Sequence, residues 1–198
     1  MRRALKHIPA FPIYICVLGW AAWYFYTGAT GGLGPDPAKV IEHQYGRVAL
    51  YLLLGALAIT PMRRYIGINL FKYRRAMGVS AGLLTLFHVA VWLVLDMQDI
   101  GKAIEEALKR RHLIFGLVAA LLMMPLLLTS NHMSVRRLGR IWNHLHKLAY
   151  AILPLAAIHY LLANKTIETE AALLLGIAIL WLVLRVDFHK LRKPQVKT

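Results

Sequence analysis

Residues 113–128 read LIFGLVAALLMMPLLL, with no charged side chain. Comparable apolar blocks occupy 9–26, 46–60, 76–95, 112–128, 148–163 and 171–186, and Lys and Arg gather between them. Inside hydrocarbon a backbone must satisfy its own polar groups, so blocks of this kind fold as helices. About 17–25 apolar residues cross the ~30 Å core of a bilayer, and several of these blocks sit at the short end of that range. Pro61 closes the second. The pattern predicts an all-α membrane protein: one domain over residues 1–198, built as a six-transmembrane-helix bundle. Composition agrees, since 59% of residues are hydrophobic and only 17% are charged, against roughly 25% in soluble domains.

The net charge of +15 would suggest nucleic acid as the partner of a soluble chain. Here its distribution points to membrane lipid and no nucleic acid. Of the 24 basic residues all but seven fall at the two ends, in 61–75, in 129–147 or at Arg185. The seven are Lys39, Arg47, Lys102, Lys109, Arg110, Arg111 and Lys165, and every acid except Asp187 lies on their side. The positive-inside rule then places both termini in the cytoplasm. Arg2, Arg3 and Lys6 precede the first block like the start of a signal peptide, but Tyr24, Phe25 and Tyr26 follow it instead of small residues, so it reads as a retained helix.

Other chemistry is excluded by what the chain lacks. A single cysteine, Cys16, rules out an internal disulfide, a Cys-ligated iron–sulfur cluster and a C-x-x-C-H haem attachment. Cys16 itself is expected to pack. No G-x-G-x-x-G and no P-loop occurs, and the tail after residue 186 is too short for a nucleotide-binding domain. The outer segment DMQDIGKAIEEALKRR is expected to form a short amphipathic surface helix, because Ile104, Leu108 and His112 recur every four residues.

Two blocks carry histidines at depth: GLLTLFHVAVWLVL and WNHLHKLAYAILPLAAIHYLL. His88 follows Arg75 by 13 residues, and His159 follows Lys147 by 12. Blocks three and five run in the same direction, so both imidazoles fall at one level. Either alone reads as a core histidine bonded to a carbonyl. Together, at matched depth, they read as two axial ligands of one flat macrocycle. Zinc would need more ligands than this level offers. A proton-relay transporter is weakened because neither block holds an acid before Asp96.

An inner level is expected around His146 and Arg74. His146 shares a face with Tyr150 and Leu153, which turns His144, two positions away, toward loop or solvent. His132 also falls in the inner loop. Arg74 precedes His88 by nearly four full turns and points the same way. A guanidinium does not bind iron but suits a haem propionate or a flavin phosphate. The 13-residue step from His146 to His159 leaves a uniform helix about 140° out of phase, a misfit that Pro154 is placed to absorb. His43 and Arg47, in EHQYGR, sit at the outer mouth of block two, as helix-start anchors or as a quinone or partner contact. Trp92, Trp142 and Trp181 read as an interfacial belt, and Tyr150 as packing in preference to a hydrogen bond to the macrocycle edge.

The segments GGLGPDPAKVIEHQYGRVAL, RRAMGVSAGLLTLFHV, RRLGRIWNHLHKLAY and LAAIHYL resemble the ferric-reductase-like transmembrane domain shared by NADPH oxidases and metalloreductases. The likeness covers essentially the whole chain. It is nearest to the branch serving as haem-binding membrane subunit of bacterial periplasmic methionine sulfoxide reductase systems. It implies one or two b-type haems on His88, His146 and His159, with Arg74 where the oxidases place a histidine. It also implies bound FMN, for which no separate motif occurs. The implied chain is a non-catalytic electron-transfer subunit in the bacterial inner membrane. Its donors would be the quinone pool or a cytosolic flavin reductase, and its acceptor a periplasmic molybdopterin catalytic subunit that repairs oxidised proteins. The alternative is a stand-alone ferric or quinone reductase.

Overall fold

A computed structural model describes residues 9–163 and 168–185. The amino-terminal basic residues, Lys165, the end of the sixth block and the basic tail lie outside the described residues. Among the described residues every regular element is helical. In chain order they are α1 (Phe11–Ala29), α2 (Pro37–Pro61), α3 (Phe71–Val91), α4 (Ile100–Lys109), α5 (Arg111–Leu128), α6 (His132–Leu138), α7 (Arg140–Leu145), α8 (Ala149–Ala163) and α9 (Thr169–Val183). Wider π turns extend α2 through Met62–Ile66 and α3 through Trp92–Met97, and a 3-10 turn at His146–Leu148 joins α7 to α8.

Four stretches are long and apolar enough to cross a membrane: Pro37–Ile66, Phe71–Met97, Arg111–Leu128 and Arg140–Ala163. α9 is a shorter apolar helix. α1 has the length, but its many Trp and Tyr residues lower its hydropathy. Cys16 is exposed on α1 instead of packed.

The second span begins at Pro37, nine residues before the apolar block that announced it. Asp36 caps it, its carboxylate accepting from Lys39 N–H at 3.3 Å, and Pro37 takes the first turn, where no backbone N–H is needed. Lys39, Glu42, His43 and Arg47 lower the hydropathy there without opposing the helix. His43 and Arg47 therefore belong to the helix itself, near the end at which the chain enters it. Short side chains on α3 (Ala76, Ser80, Ala81) let it approach α2 closely, against the leucine face Leu50, Leu53, Leu54 and Leu57. α8 packs likewise on α5, and α9 on α8. The main core joins Leu53, Leu57, Ala81, Met123, Leu126, Leu153, Ala157 and Ala178. Arg47 of α2 holds Glu170 at the start of α9, Nε to Oε1 at 2.8 Å and Nη2 to Oε2 at 2.5 Å, and Tyr51 bonds the same carboxylate.

The expected surface helix is α4. Asp99 caps it, accepting from Lys102 N–H at 2.9 Å, and that bond holds the exposed carboxyl below its ordinary pKa. Gln98, just before it, adopts the left-handed region with φ 56°. His132 opens α6, a short helix capped by Asn131, where a loop was expected.

Candidate cofactor site

α3 and α8 each pack on a different neighbour, α2 and α5 respectively, and a cavity of about 680 Å³ lies where His88 and His159 face each other. The ring centroids are 6.1 Å apart, with the planes at 75°. The depth match read from Arg75 and Lys147 thus brings the two imidazoles together.

One local device holds both rings. His88 Nδ1 donates to the Glu42 carbonyl at 2.8 Å, and His159 Nδ1 donates to the His112 carbonyl at 2.7 Å. In each case the residue four further along the neighbouring helix is glycine: Gly46 after Glu42, Gly116 after His112. A Cβ on Gly46 would stand 3.0 Å from His88 Nδ1, and one on Gly116 only 2.6 Å from His159 Nδ1. Glycine lets each imidazole lie against a helix backbone and reach a carbonyl one turn back. The carbonyl fixes the tautomer with the proton on Nδ1, which leaves each Nε2 with a free lone pair.

The residues present fit a bis-imidazole macrocycle. With a metal–imidazole bond of about 2 Å and a ring centroid about 1.1 Å behind its nitrogen, two rings on opposite faces of one iron stand about 6 Å apart. The cavity lies within the usual range of about 300–1,000 Å³ for ligand sites. Its room comes from short side chains, Ala49, Ala119, Ala120 and Ala156 besides the two glycines, and Leu50, Leu53, Val89 and Met123 keep it apolar. The rim is polar, with His43, Arg47, Asp96 and His112. The His112 ring lies 5.9 Å from that of His159. Among the described residues no group of three or more His, Cys, Asp or Glu side chains could hold a bare metal ion.

The inner level is a separate constellation. His146 is half-buried and His144 exposed, as their helical positions suggest. His146 Nδ1 donates to the Trp142 carbonyl at 3.1 Å, and its ring stacks on the Trp142 indole at 3.8 Å. Trp142 therefore serves the inner histidine, its own Nε1 donating to Thr129 O at 2.9 Å. Ser130 Oγ lies 3.3 Å from His146 Nε2, but its proton goes to the Leu126 carbonyl at 2.6 Å. Half-buried Arg74 lies close enough to His146 and Arg185 for their charges to interact. Arg185 donates to Tyr150 Oη at 2.7 Å and to the Leu57 carbonyl at 2.5 Å, so Tyr150 carries a polar contact as well as packing. Arg75 turns to Ser130 O and His132.

The change of winding between the histidines occurs at the 3-10 turn His146–Leu148, before Pro154 is reached. At about 120° per residue instead of 100°, three such residues recover roughly 60° of the misfit. Sequence reasoning missed Gly46, Gly116 and Arg185. The signal for the glycines was present as a shared interval, EHQYG and HLIFG, but it means something only once the facing histidines are known.

Comparison with known proteins agrees with this geometry. The family described as ferric reductase like transmembrane component matches residues 45–157, a stretch that contains His88, His146, both glycines and Arg74. A protein of Agrobacterium fabrum is 41% identical over 94% of this chain and 85% of its own length, and one of Brucella melitensis biotype 2 is 39% identical over 89% and 82%. A protein of Brucella anthropi is 40% identical over 88% and 80%. All three are named protein-methionine-sulfoxide reductase heme-binding subunit MsrQ. No solved structure matches. With a transmembrane family matching residues 45–157, and relatives about 40% identical over most of their length, the chain belongs to the ferric-reductase-like transmembrane family, among the haem-binding subunits of methionine sulfoxide reductase systems.

Proposed function

We propose that this protein is a transmembrane electron-transfer subunit that holds b-type haem between His88 and His159 and delivers electrons to a separate methionine sulfoxide reductase. The observation that carries the reading is the facing pair, 6.1 Å apart, with each Nδ1 committed to a backbone carbonyl. A haem bound there supplies reversible one-electron chemistry at a potential set by its axial ligands, burial and nearby charge. The chain supplies the rest. The Glu42 and His112 carbonyls orient the two imidazoles, the alanines and glycines leave room between the helices, and the leucines and Met123 exclude water. His146 and Arg74 form a second station toward the other side. There His146 offers a nitrogen and Arg74 a cation for a propionate or for the phosphate of FMN.

In this reading six helices span the bacterial inner membrane with both ends in the cytoplasm, and residues 1–198 act as one domain. Electrons come from the quinone pool or a cytosolic flavin reductase. They leave to a separate catalytic subunit, in this reading a periplasmic molybdopterin protein; the relatives' name, heme-binding subunit of a protein-methionine-sulfoxide reductase, supports a catalytic partner of that system. The deciding experiment is the absorption spectrum and haem-to-protein ratio of the purified protein. A low-spin b-type spectrum with at least one haem per chain is expected, and a colourless, folded protein would overturn the proposal.

A further inference from the structure

α4 has three faces. At 100° per residue, Ile100, Ile104 and Leu108 form a stripe about 80° wide, Ala103 and Ala107 lie beside it, and Lys102, Glu105, Glu106 and Lys109 fill the opposite side. The alanines are buried against the protein, at 4% and 8% exposure. The aliphatic stripe is not: Ile100 is 68% exposed, Ile104 57% and Leu108 74%. Charges on the far side pair with one another, Lys109 with Glu105 at 2.5 Å. A surface helix in water has no reason to keep an aliphatic stripe apart from both its core face and its charged face.

The helices that α4 connects expose apolar side chains too. Val94, on the turn before it, and Leu117 and Leu121, on α5 after it, are exposed. Ile104, Leu108 and Leu117 border the cavity of His88 and His159. In a protein of a transmembrane family the exposed apolar sides of the spans face lipid, so the stripe extends the lipid-facing surface around the cavity's end. Three aliphatic side chains fall far short of the roughly 800 Å² that each partner gives to a stable protein interface.

We propose that α4 lies in the membrane interface with Ile100, Ile104 and Leu108 among the acyl chains, and from there roofs the cavity that holds His88 and His159. The occupant of the stripe is lipid. Segregation into an apolar and a charged face is the mark of helices lying in that plane. The proposal rests on the chain's membrane character and is independent of whether the cavity binds haem.

The test uses the full chain in lipid nanodiscs. Cys16→Ser removes the native thiol, and spin labels are placed singly through Ile104→Cys and Lys102→Cys. The ratio of collision rates with oxygen, which partitions into lipid, to those with a water-soluble nickel chelate should be several-fold higher at 104 than at 102. A label at 104 open to nickel would overturn the proposal by showing water. A label shielded from both reagents would overturn it by showing a protein cover. A second variant avoids the polar label: Leu108→Trp should add fluorescence, over the wild-type tryptophans, that lipids brominated near the headgroup quench. No added quenching in a monodisperse protein would equally overturn it.

Discussion

Gly116 lies directly against His159: a Cβ on the glycine would come within 2.6 Å of the imidazole Nδ1. The histidine sits against the backbone of α5 because that helix has no side chain there, and the bond to the His112 carbonyl needs this approach. Gly46 and His88 repeat the relationship on α2, with 0.4 Å more room (3.0 Å). Alanine is favoured over glycine inside a helix by about 1 kcal/mol, so Gly116→Ala should not weaken α5 itself. It should displace the His159 ring and break its carbonyl bond. The expected outcome is a folded protein with haem reduced several-fold, or shifted from six-coordinate low spin to five-coordinate. Gly46→Ala should do the same more mildly. Optical and low-temperature EPR spectra at equal protein check both, and wild-type spectra from Gly116→Ala would remove the positioning role.

Replacing the histidines tests the ligands directly. His88→Ala and His159→Ala should each lose the haem of this cavity or leave it five-coordinate, because each removes one of the two imidazoles that stand 6.1 Å apart. His146→Ala should alter a different centre, or lower total haem only in part. His144→Ala, exposed and bonded to the Arg140 carbonyl, serves as the control. Should His88→Ala and His159→Ala both keep full low-spin haem, the clamp is wrong.

Much of this site was legible because depth in a membrane can be counted from charges. Arg75 and Lys147 mark where spans three and five leave the interface, and counting inward put His88 and His159 at one level. The start of α2 was not legible by the same rule. Hydropathy placed it at Gly46, but helix formation is decided by capping and propensity, and Asp36 with Pro37 starts it nine residues sooner. The docking of each imidazole on a neighbour's carbonyl is a tertiary relation between helices, and the four-residue interval to a glycine is too common to signal it alone. The winding change was assigned to Pro154 because proline is the visible helix breaker. The structure tightens the turn at His146–Leu148 instead, where Trp142, itself bonded to Thr129, holds the inner histidine.

Arg74 separates charge from geometry. Arg74→Ala should weaken retention of an anionic cofactor group on the inner side without changing the spin state of haem at His88 and His159. Arg74→Lys keeps the charge but loses the planar fork, so it should restore retention only in part. Cofactor content after dialysis at rising salt distinguishes the two. A loss of low-spin signal from the outer pair in Arg74→Ala would show that the levels are not separate.

The Arg47–Glu170 pair joins α2 to α9, with both side chains about one-third exposed. Glu170→Gln leaves the Arg47 guanidinium with weakened acceptors beside the cavity rim. Between the limits for exposed and buried pairs, the expected loss is roughly 1–2 kcal/mol, read as a lower Tm in detergent. Arg47→Met with Glu170→Leu should recover most of it, since both charges go together. An unchanged Tm in Glu170→Gln would mean that α9 is held by its apolar face alone.

The last prediction concerns orientation. Among the described residues the acids, from Asp36 to Glu170, all fall in or beside the segments that join α1 to α2, α3 to α5 and α8 to α9. Arg63, Arg64, Arg74, Arg75, Arg136, Arg137, Arg140 and Lys147 gather at the opposite ends of those helices, in the segments joining α2 to α3 and α5 to α8. A positive-inside bias counted over such short segments sets the direction of insertion. For both ends of the chain to lie inside, α1 and α9 must cross as well, although one is rich in Trp and Tyr and the other short. Periplasm-active reporters fused after Lys39 and Lys102 should therefore be active, and fusions after Arg64 and Arg140 silent, with the reverse pattern for a cytoplasmic reporter. The fusion after Lys102 is decisive, because it reports the side on which α4 and the polar rim of the histidine cavity stand. A cytoplasmic signal there would invert the protein in the membrane and place the His88–His159 level beside the donor instead of the acceptor.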